Sequence, residues 1–272
     1  MARSPLSLTP SRLSDLEACR RRFQLRYLER LAWPAQPEDE AAVQRMELGA
    51  RFHRLMQRYH LGLSLVFEGG SRAPAEPELA RWWAAFRELG PDTLPGRRLP
   101  EVSLTVPLAG HLLSGRFDLL VFSPPDAPPT LHIIDWKTTA RPASEAALRE
   151  AMQTRHYLLL AAEGAGALGR PVTPEQIRLT YWFAVRPEAS VTFHYDSDWH
   201  AANRAYLTEL VGELNERLNQ RVGEDSVWPL TSDRQQCRRC AYQVVCGREM
   251  ADLDLTDWSG PEEQANLEPS LP

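Results

Sequence analysis

Two short stretches in the middle of the chain carry the residue types that metal and acid–base chemistry require. They are Gly115-Arg116-Phe117-Asp118 and, beyond a proline-rich turn, Ile133-Ile134-Asp135-Trp136-Lys137. If both are strands paired antiparallel, Asp118 and Asp135 come side by side. Side chains alternate along a strand, so Asp135 and Lys137 share a face and Trp136 points to the other. Two carboxylates beside one ammonium leave a negative charge that is costly to bury unless a cation neutralises it. Oxygen ligands favour magnesium or manganese. Such an ion, with an ammonium to position water, is equipped to hydrolyse a phosphodiester. The plain alternative is a surface ion pair between Asp135 and Lys137, with Asp118 in a turn. The apolar Ile133 and Ile134 weigh against it, because they bury the strand up to Asp135. So does composition: of 31 basic residues, 30 are arginine, and Lys137 is the only lysine in the protein. A chain that otherwise uses guanidinium forks kept a compact ammonium at this one position.

The four cysteines form a second constellation. Cys19 stands alone near the N-terminus, while Cys237, Cys240 and Cys246 make a C-x2-C-x5-C cluster more than 200 residues later. Four is the ligand number of a metal site, and C-x2-C spacing in a cytosolic protein points to metal or redox chemistry before disulfides. Four thiolates suit either zinc or a 4Fe–4S cluster. Either would tie the two chain ends together and restrict the unfolded chain. Arg20, Arg21, Arg22, Arg238 and Arg239 crowd beside these cysteines, as solvated counter-charges or as a phosphate-binding surface.

The elements that must position these groups can be read from periodicity. Apolar spacing predicts helices over residues 11–31, with Ser11 or Ser14 as N-cap, and over 41–61. A loop follows over 69–77, then a short Trp-rich helix over 79–89. Residues 101–107, 111–122 and 131–136 are rich in β-formers and separated by turn residues, predicting three antiparallel strands. A helix over 143–162, a hairpin of 176–185 with 190–195, and a long helix over 199–222 complete the chain. Helices flanking a mixed central sheet give an α/β architecture.

Bulk properties limit the function classes. At 272 residues and 43% hydrophobic content the chain supports a packed domain. No apolar run approaches the roughly 20 residues of a membrane span, and the N-terminus lacks a charged-then-apolar signal pattern; a soluble, cytoplasmic protein without a membrane partner is expected. The net charge of −5 speaks against nucleic acid until it is divided along the chain. Residues 247–272 hold seven acids and one arginine, whereas residues 1–60 hold eleven arginines against seven acids. The division expected is a domain over residues 1–249 and an acidic, loosely held tail over 250–272.

Together the motifs resemble the PD-(D/E)XK nuclease superfamily, in its RecB-like branch. That branch includes CRISPR spacer-acquisition exonucleases and the nuclease domains of bacterial helicase–nuclease complexes. A Gly-x-x-x-His motif on an early helix matches Gly49-Ala50-Arg51-Phe52-His53. The Gly-x-x-Asp motif matches residues 115–118, and Asp/Glu-x-Lys matches Asp135-Trp136-Lys137. A downstream Gln-x-x-x-Tyr matches Gln153-Thr154-Arg155-His156-Tyr157. The resemblance covers roughly residues 10–249. It implies a restriction-endonuclease-like mixed sheet flanked by helices, with an N-terminal helical portion and a C-terminal cysteine-cluster cap.

It also implies roles. His53, Asp118, Asp135 and the Trp136 carbonyl would hold Mg2+ or Mn2+, and Lys137 would orient the attacking water. Gln153 and Tyr157 would approach DNA near the site, and Glu101 is a candidate accessory acid. The one-plus-three cysteines are similar to the 4Fe–4S staple of this branch, with zinc as the alternative; Arg20 stands where the family often has proline. The activity implied is metal-dependent cleavage of DNA, by an exonuclease on single strands or duplex ends, in repair, recombination or CRISPR-type processing. A helicase or CRISPR adaptation partner would supply what this chain lacks. The competing class is a metal-stapled DNA- or protein-binding module without catalysis.

Overall fold

The computed structural model describes residues 4–32, 40–67, 70–71, 73–220, 227–238 and 240–248. The expected acidic tail, the last two residues of the expected 199–222 helix and part of the expected 69–77 loop lie outside the described residues. Strand β1 (Ser7–Leu8) leads into α1 (Pro10–Ala18) and α2 (Arg20–Phe23), which continues as a π-helical turn over Gln24–Leu28. Two longer helices follow, α3 (Glu40–His60) and α4 (Pro77–Leu89). Next come β2 (Arg97–Leu108), β3 (His111–Phe122) and β4 (Leu131–Lys137). Helices α5 (Glu145–Glu150) and α6 (Met152–Gly164) cross over to β5 (Ile177–Phe183). The described chain continues through β6 (Val191–His194) and α7 (Ser197–Asn219) to the cysteine-bearing end.

The six strands make one mixed sheet. β2 and β4 both pair antiparallel with β3, β5 runs parallel to β4 after the helical crossover, and β6 returns antiparallel to β5. The two-residue β1 pairs parallel with β3 at Leu112 and Leu113. Since β2 follows β3 along its whole length, β1 and β4 must share the other edge of β3. β4 pairs only at residues 119–122, so residues 114–118 have no strand partner on that edge among the described residues. The sheet opens where the Gly-x-x-Asp segment lies.

A hydrophobic layer covers each face. Leu104, Phe117, Leu120, Ile133, Leu160, Tyr181 and Leu214 belong to the layer under α1, α6 and α7. Phe52, Met56, Trp82, Phe86, Leu119, Ile134, Trp136 and Trp182 form the layer under α3 and α4. The alternation Ile133, Ile134, Asp135, Trp136, Lys137 therefore holds, with Trp136 on the α3 side.

Three sequence expectations need correction. The helix over residues 11–31 is broken at Cys19, whose backbone is extended (φ −162°, ψ 114°), and its N-cap is Thr9, followed by Pro10 at the first turn. The helix over 143–162 is two helices, because Ala151 is extended (φ −61°, ψ 139°). β2 starts at Arg97 rather than 101. In the two helices apolar spacing persists through the break, so periodicity alone does not see it.

Candidate active site

The site forms where β3, β4, α3 and α6 meet. Alternation along β3 slips by one residue at Asp118: Phe117 and Leu120 both face α6, while Leu119 faces α3. β2 slips at the same level, where Glu101 takes a positive φ of 54°. The register on both sides, Pro100 with Leu119 and Val102 with Phe117, puts Glu101 directly opposite Asp118. Positive φ in a non-glycine residue costs on the order of 1–3 kcal/mol and persists only where the surrounding structure imposes it. Two carboxylates facing each other across a sheet repel, so this pair calls for a cation.

One cation source is His53, reaching in from α3 with Nδ1 3.3 Å from Asp118 Oδ1. Ligand atoms of His53, Glu101 and Asp118 all lie within 4.8 Å of one another, a grouping able to hold a metal ion. Burial disfavours charge on His53, but the hydrogen bond and charge of Asp118, helped by Asp135 and Glu101, outweigh it and raise its pKa. Burial pushes the Glu101 carboxyl upward; Arg116, with Nε 2.9 Å from Glu101 Oε2, pulls it down, and Asp118 adds to the rise. A divalent ion would displace the imidazole proton and take the place of these makeshift counter-charges.

Asp135 and Lys137 form the second half. Lys137 Nζ lies 2.7 Å from Asp135 Oδ2 and 5.0 Å above the Tyr181 ring. Gln153, in the first turn of α6, clamps both: its Nε2 donates to Asp135 Oδ1 at 2.8 Å, and its Oε1 accepts from Lys137 Nζ at 2.8 Å. Asp135 is only 3% exposed. Burial raises its pKa, Lys137 opposes the rise, and Asp118 adds to it. The two halves join through Trp136, whose backbone N–H donates to Asp118 Oδ2 at 2.9 Å.

All the named residues converge, with different duties. The compact grouping able to hold a metal ion joins Glu101 to His53 and Asp118; Asp135 is held next to it by Lys137 and Gln153, and the Trp136 N–H donates to Asp118. Tyr157 is buried and donates its hydroxyl to the Arg116 carbonyl at 2.8 Å, filling the open edge of β3. With Gln153 it still lines a cavity of about 650 Å³, together with His53, Asp118, Arg116 and, from the start of α1, Thr9, Ser11 and Ser14. Sequence reasoning missed Arg116 as a site residue; its signal was only its place inside the Gly-x-x-Asp motif.

The motif glycines have steric reasons. A Cβ on Gly115 would lie 2.9 Å from Leu160 Cδ2 and 3.2 Å from His156 Cε1, and one on Gly49 would lie 2.9 Å from Thr138 Oγ1. Both let a helix approach the site strands closely.

Among known families, a model of the PD-(D/E)XK nuclease superfamily matches residues 7–247. The chain belongs to the PD-(D/E)XK nuclease superfamily. The mixed sheet flanked by helices is that superfamily's restriction-endonuclease-like fold. No curated protein matches the chain. Among solved structures, one from Eubacterium rectale, provisionally named an exonuclease, is similar with 12% identity and a TM-score of 0.50, covering 80% of this chain and 83% of that one. SSO0001 is similar at 14% identity and a TM-score of 0.41, covering 92% and 90%.

The cysteines converge as well. Cys19, Cys237, Cys240 and Cys246 line one small pocket with Arg22, Tyr242 and Arg248. Burial, then the nearby Cys240 and Cys19, push the Cys246 thiol upward, with Arg21 opposing and Cys237 adding. The surrounding contacts already join the chain ends: Phe23 stacks on Trp228, the Arg21 N–H donates to the Pro229 carbonyl, and the Tyr242 hydroxyl donates to the Leu31 carbonyl. No described helix is long and apolar enough to cross a membrane.

Proposed function

We propose that this superfamily member is a metal-dependent deoxyribonuclease acting on single-stranded DNA or duplex ends. The observation that carries the reading is the His53–Glu101–Asp118 grouping beside a Lys137 fixed by Asp135 and Gln153. Two shielded carboxylates and one imidazole suit Mn2+ or Mg2+. When bound, the ion supplies Lewis-acid charge to a phosphodiester and makes water a better nucleophile. His53, Glu101 and Asp118 would hold it, with Asp135 held beside them by Lys137 and Gln153. Lys137, fixed by Gln153, orients the attacking water and offers positive charge to the phosphate in the transition state. Thr9, Ser11 and Ser14 wall the cavity through which a strand reaches these groups.

We assign the four cysteines a 4Fe–4S cluster. Their number supports it, as does their convergence from both chain ends on one small pocket; zinc held by the same four thiolates is the alternative.

End-labelled and circular single-stranded DNA, incubated with and without Mn2+, test the activity. Mn2+-dependent loss of the linear substrate, abolished in Lys137→Ala, is the expected result, and sparing of the circle would establish attack from ends. A folded wild-type protein inert toward both would overturn the reading in favour of a binding module.

A further inference from the structure

Arg116 and Glu101 form an unequal pair. Glu101 is shielded, with its side chain 15% exposed, and it faces Asp118 from a backbone held at positive φ. Arg116 is the reverse: its side chain is 70% exposed, and the pair engages only Nε. A guanidinium has five N–H donors, and among the described residues this one pairs only with Glu101. Arg116 also lines the cavity that holds His53 and Asp118. Its backbone carbonyl is fixed by Tyr157, so the side chain can move without disturbing the strand. An ion pair with one partner this exposed is screened by solvent and contributes little. It is weak enough to be exchanged.

A divalent cation between His53, Glu101 and Asp118 would satisfy Glu101 with more charge than one guanidinium carries. The arginine would then be left beside the metal with its fork open, the geometry that matches two phosphate oxygens. We propose that Arg116 is a DNA-phosphate ligand held in reserve on Glu101, released to the bound strand when Glu101 turns to the metal. This rests on the metal-dependent nuclease reading above. It makes metal and DNA binding mutually reinforcing, because each favours the same position of one side chain.

Two binding measurements on the whole protein, neither of which reads cleavage, test it. The first is Mn2+ uptake without DNA, followed by the paramagnetic signal of the free ion. Arg116→Gln should bind Mn2+ about three- to tenfold more tightly than wild type, since Glu101 has lost its competing cation. The second is binding of a fluorescent oligodeoxythymidine over a salt series, in EDTA and in Ca2+. In EDTA the variant should match wild type. In Ca2+ it should bind about tenfold more weakly, and its salt slope should fall by about 0.7, the value for one lost phosphate contact on a single strand. Arg116→Lys should recover the slope.

Unchanged Mn2+ affinity in Arg116→Gln, or a DNA deficit of equal size in EDTA and Ca2+, would show a static arginine and overturn the proposal. A wild-type protein that takes up no Mn2+ at all would fail differently, bringing down the nuclease reading along with it.

Discussion

The Asp118 carboxylate accepts the backbone N–H of Trp136 at 2.9 Å, just beyond Leu119 and Ile134, where the backbone ladder between β3 and β4 ends. One oxygen thus continues the sheet while the other faces His53. These duties separate by substitution. Asp118→Asn keeps an acceptor for Trp136 but loses the charge. It should unfold in urea within about 1 kcal/mol of wild type while cleaving DNA at least about a hundredfold more slowly. Asp118→Ala should lose cleavage and a further 1–3 kcal/mol, roughly, because the Trp136 N–H is left unpaired. An active Asp118→Asn protein would remove this residue from the metal site.

Part of this arrangement is legible without coordinates. Strict alternation places Asp135 and Lys137 on one face with Trp136 opposite, and the number and spacing of the cysteines mark them as one group. What escapes is the local departure from period. Glu101 faces Asp118 only because both strands slip phase at the same level, and a positive φ at a glutamate is imposed by tertiary packing, with no glycine to announce it. β1 is two residues long, too short for any alternation to register. Which of Asp118 and Asp135 α6 covers is set by Gln153, 18 residues beyond Asp135, a contact that no local pattern encodes.

His156 makes acid sensitivity predictable. It is fully buried behind Gly115, with Nε2 3.1 Å from the Leu8 carbonyl, and burial lowers its pKa to about 4 despite that hydrogen bond. Unfolded, it would titrate near 6.5. Between these values the unfolded chain binds more protons, so stability is full above about pH 6.5 and is lost as pH falls toward 4. His156→Gln should therefore reduce the stability lost between pH 7 and pH 5 by about 2 kcal/mol relative to wild type, read from urea unfolding at both pH values. Equal losses in the two proteins would mean that His156 is protonated when folded.

The cysteine cluster should be felt at the active site through α1. That helix ends at Cys19, and its first turns put Ser11 and Ser14 in the cavity wall. Protein purified without oxygen should be brown, with about four irons per chain, and Cys240→Ser should be colourless. Losing the staple should free the segment carrying Trp228 and Tyr242 and hasten proteolysis there. It should also weaken single-stranded DNA binding while leaving Asp135 and Lys137 in place. A colourless wild-type protein with one zinc would keep the staple and reject the iron.

Gly49 and Thr138 offer the sharpest packing test. A Cβ at Gly49 would stand 2.9 Å from Thr138 Oγ1, and Thr138 directly follows Lys137. Gly49→Ala should therefore push α3 away from the end of β4, drawing His53, one turn further along α3, away from Asp118. Overpacking of this kind costs about 1–3 kcal/mol. Relief at a helix-interior glycine offsets part of it, since alanine is the better helix former by up to about 1 kcal/mol. Cleavage should consequently suffer more than stability. Thr138→Ala removes the obstructing oxygen, so Gly49→Ala with Thr138→Ala should recover stability and most of the activity, a coupling of about 1 kcal/mol or more in a double-mutant cycle. Additive losses would mean that the helix accommodates a methyl at residue 49 by some other movement, and that the glycine of this motif is not there to let α3 meet β4.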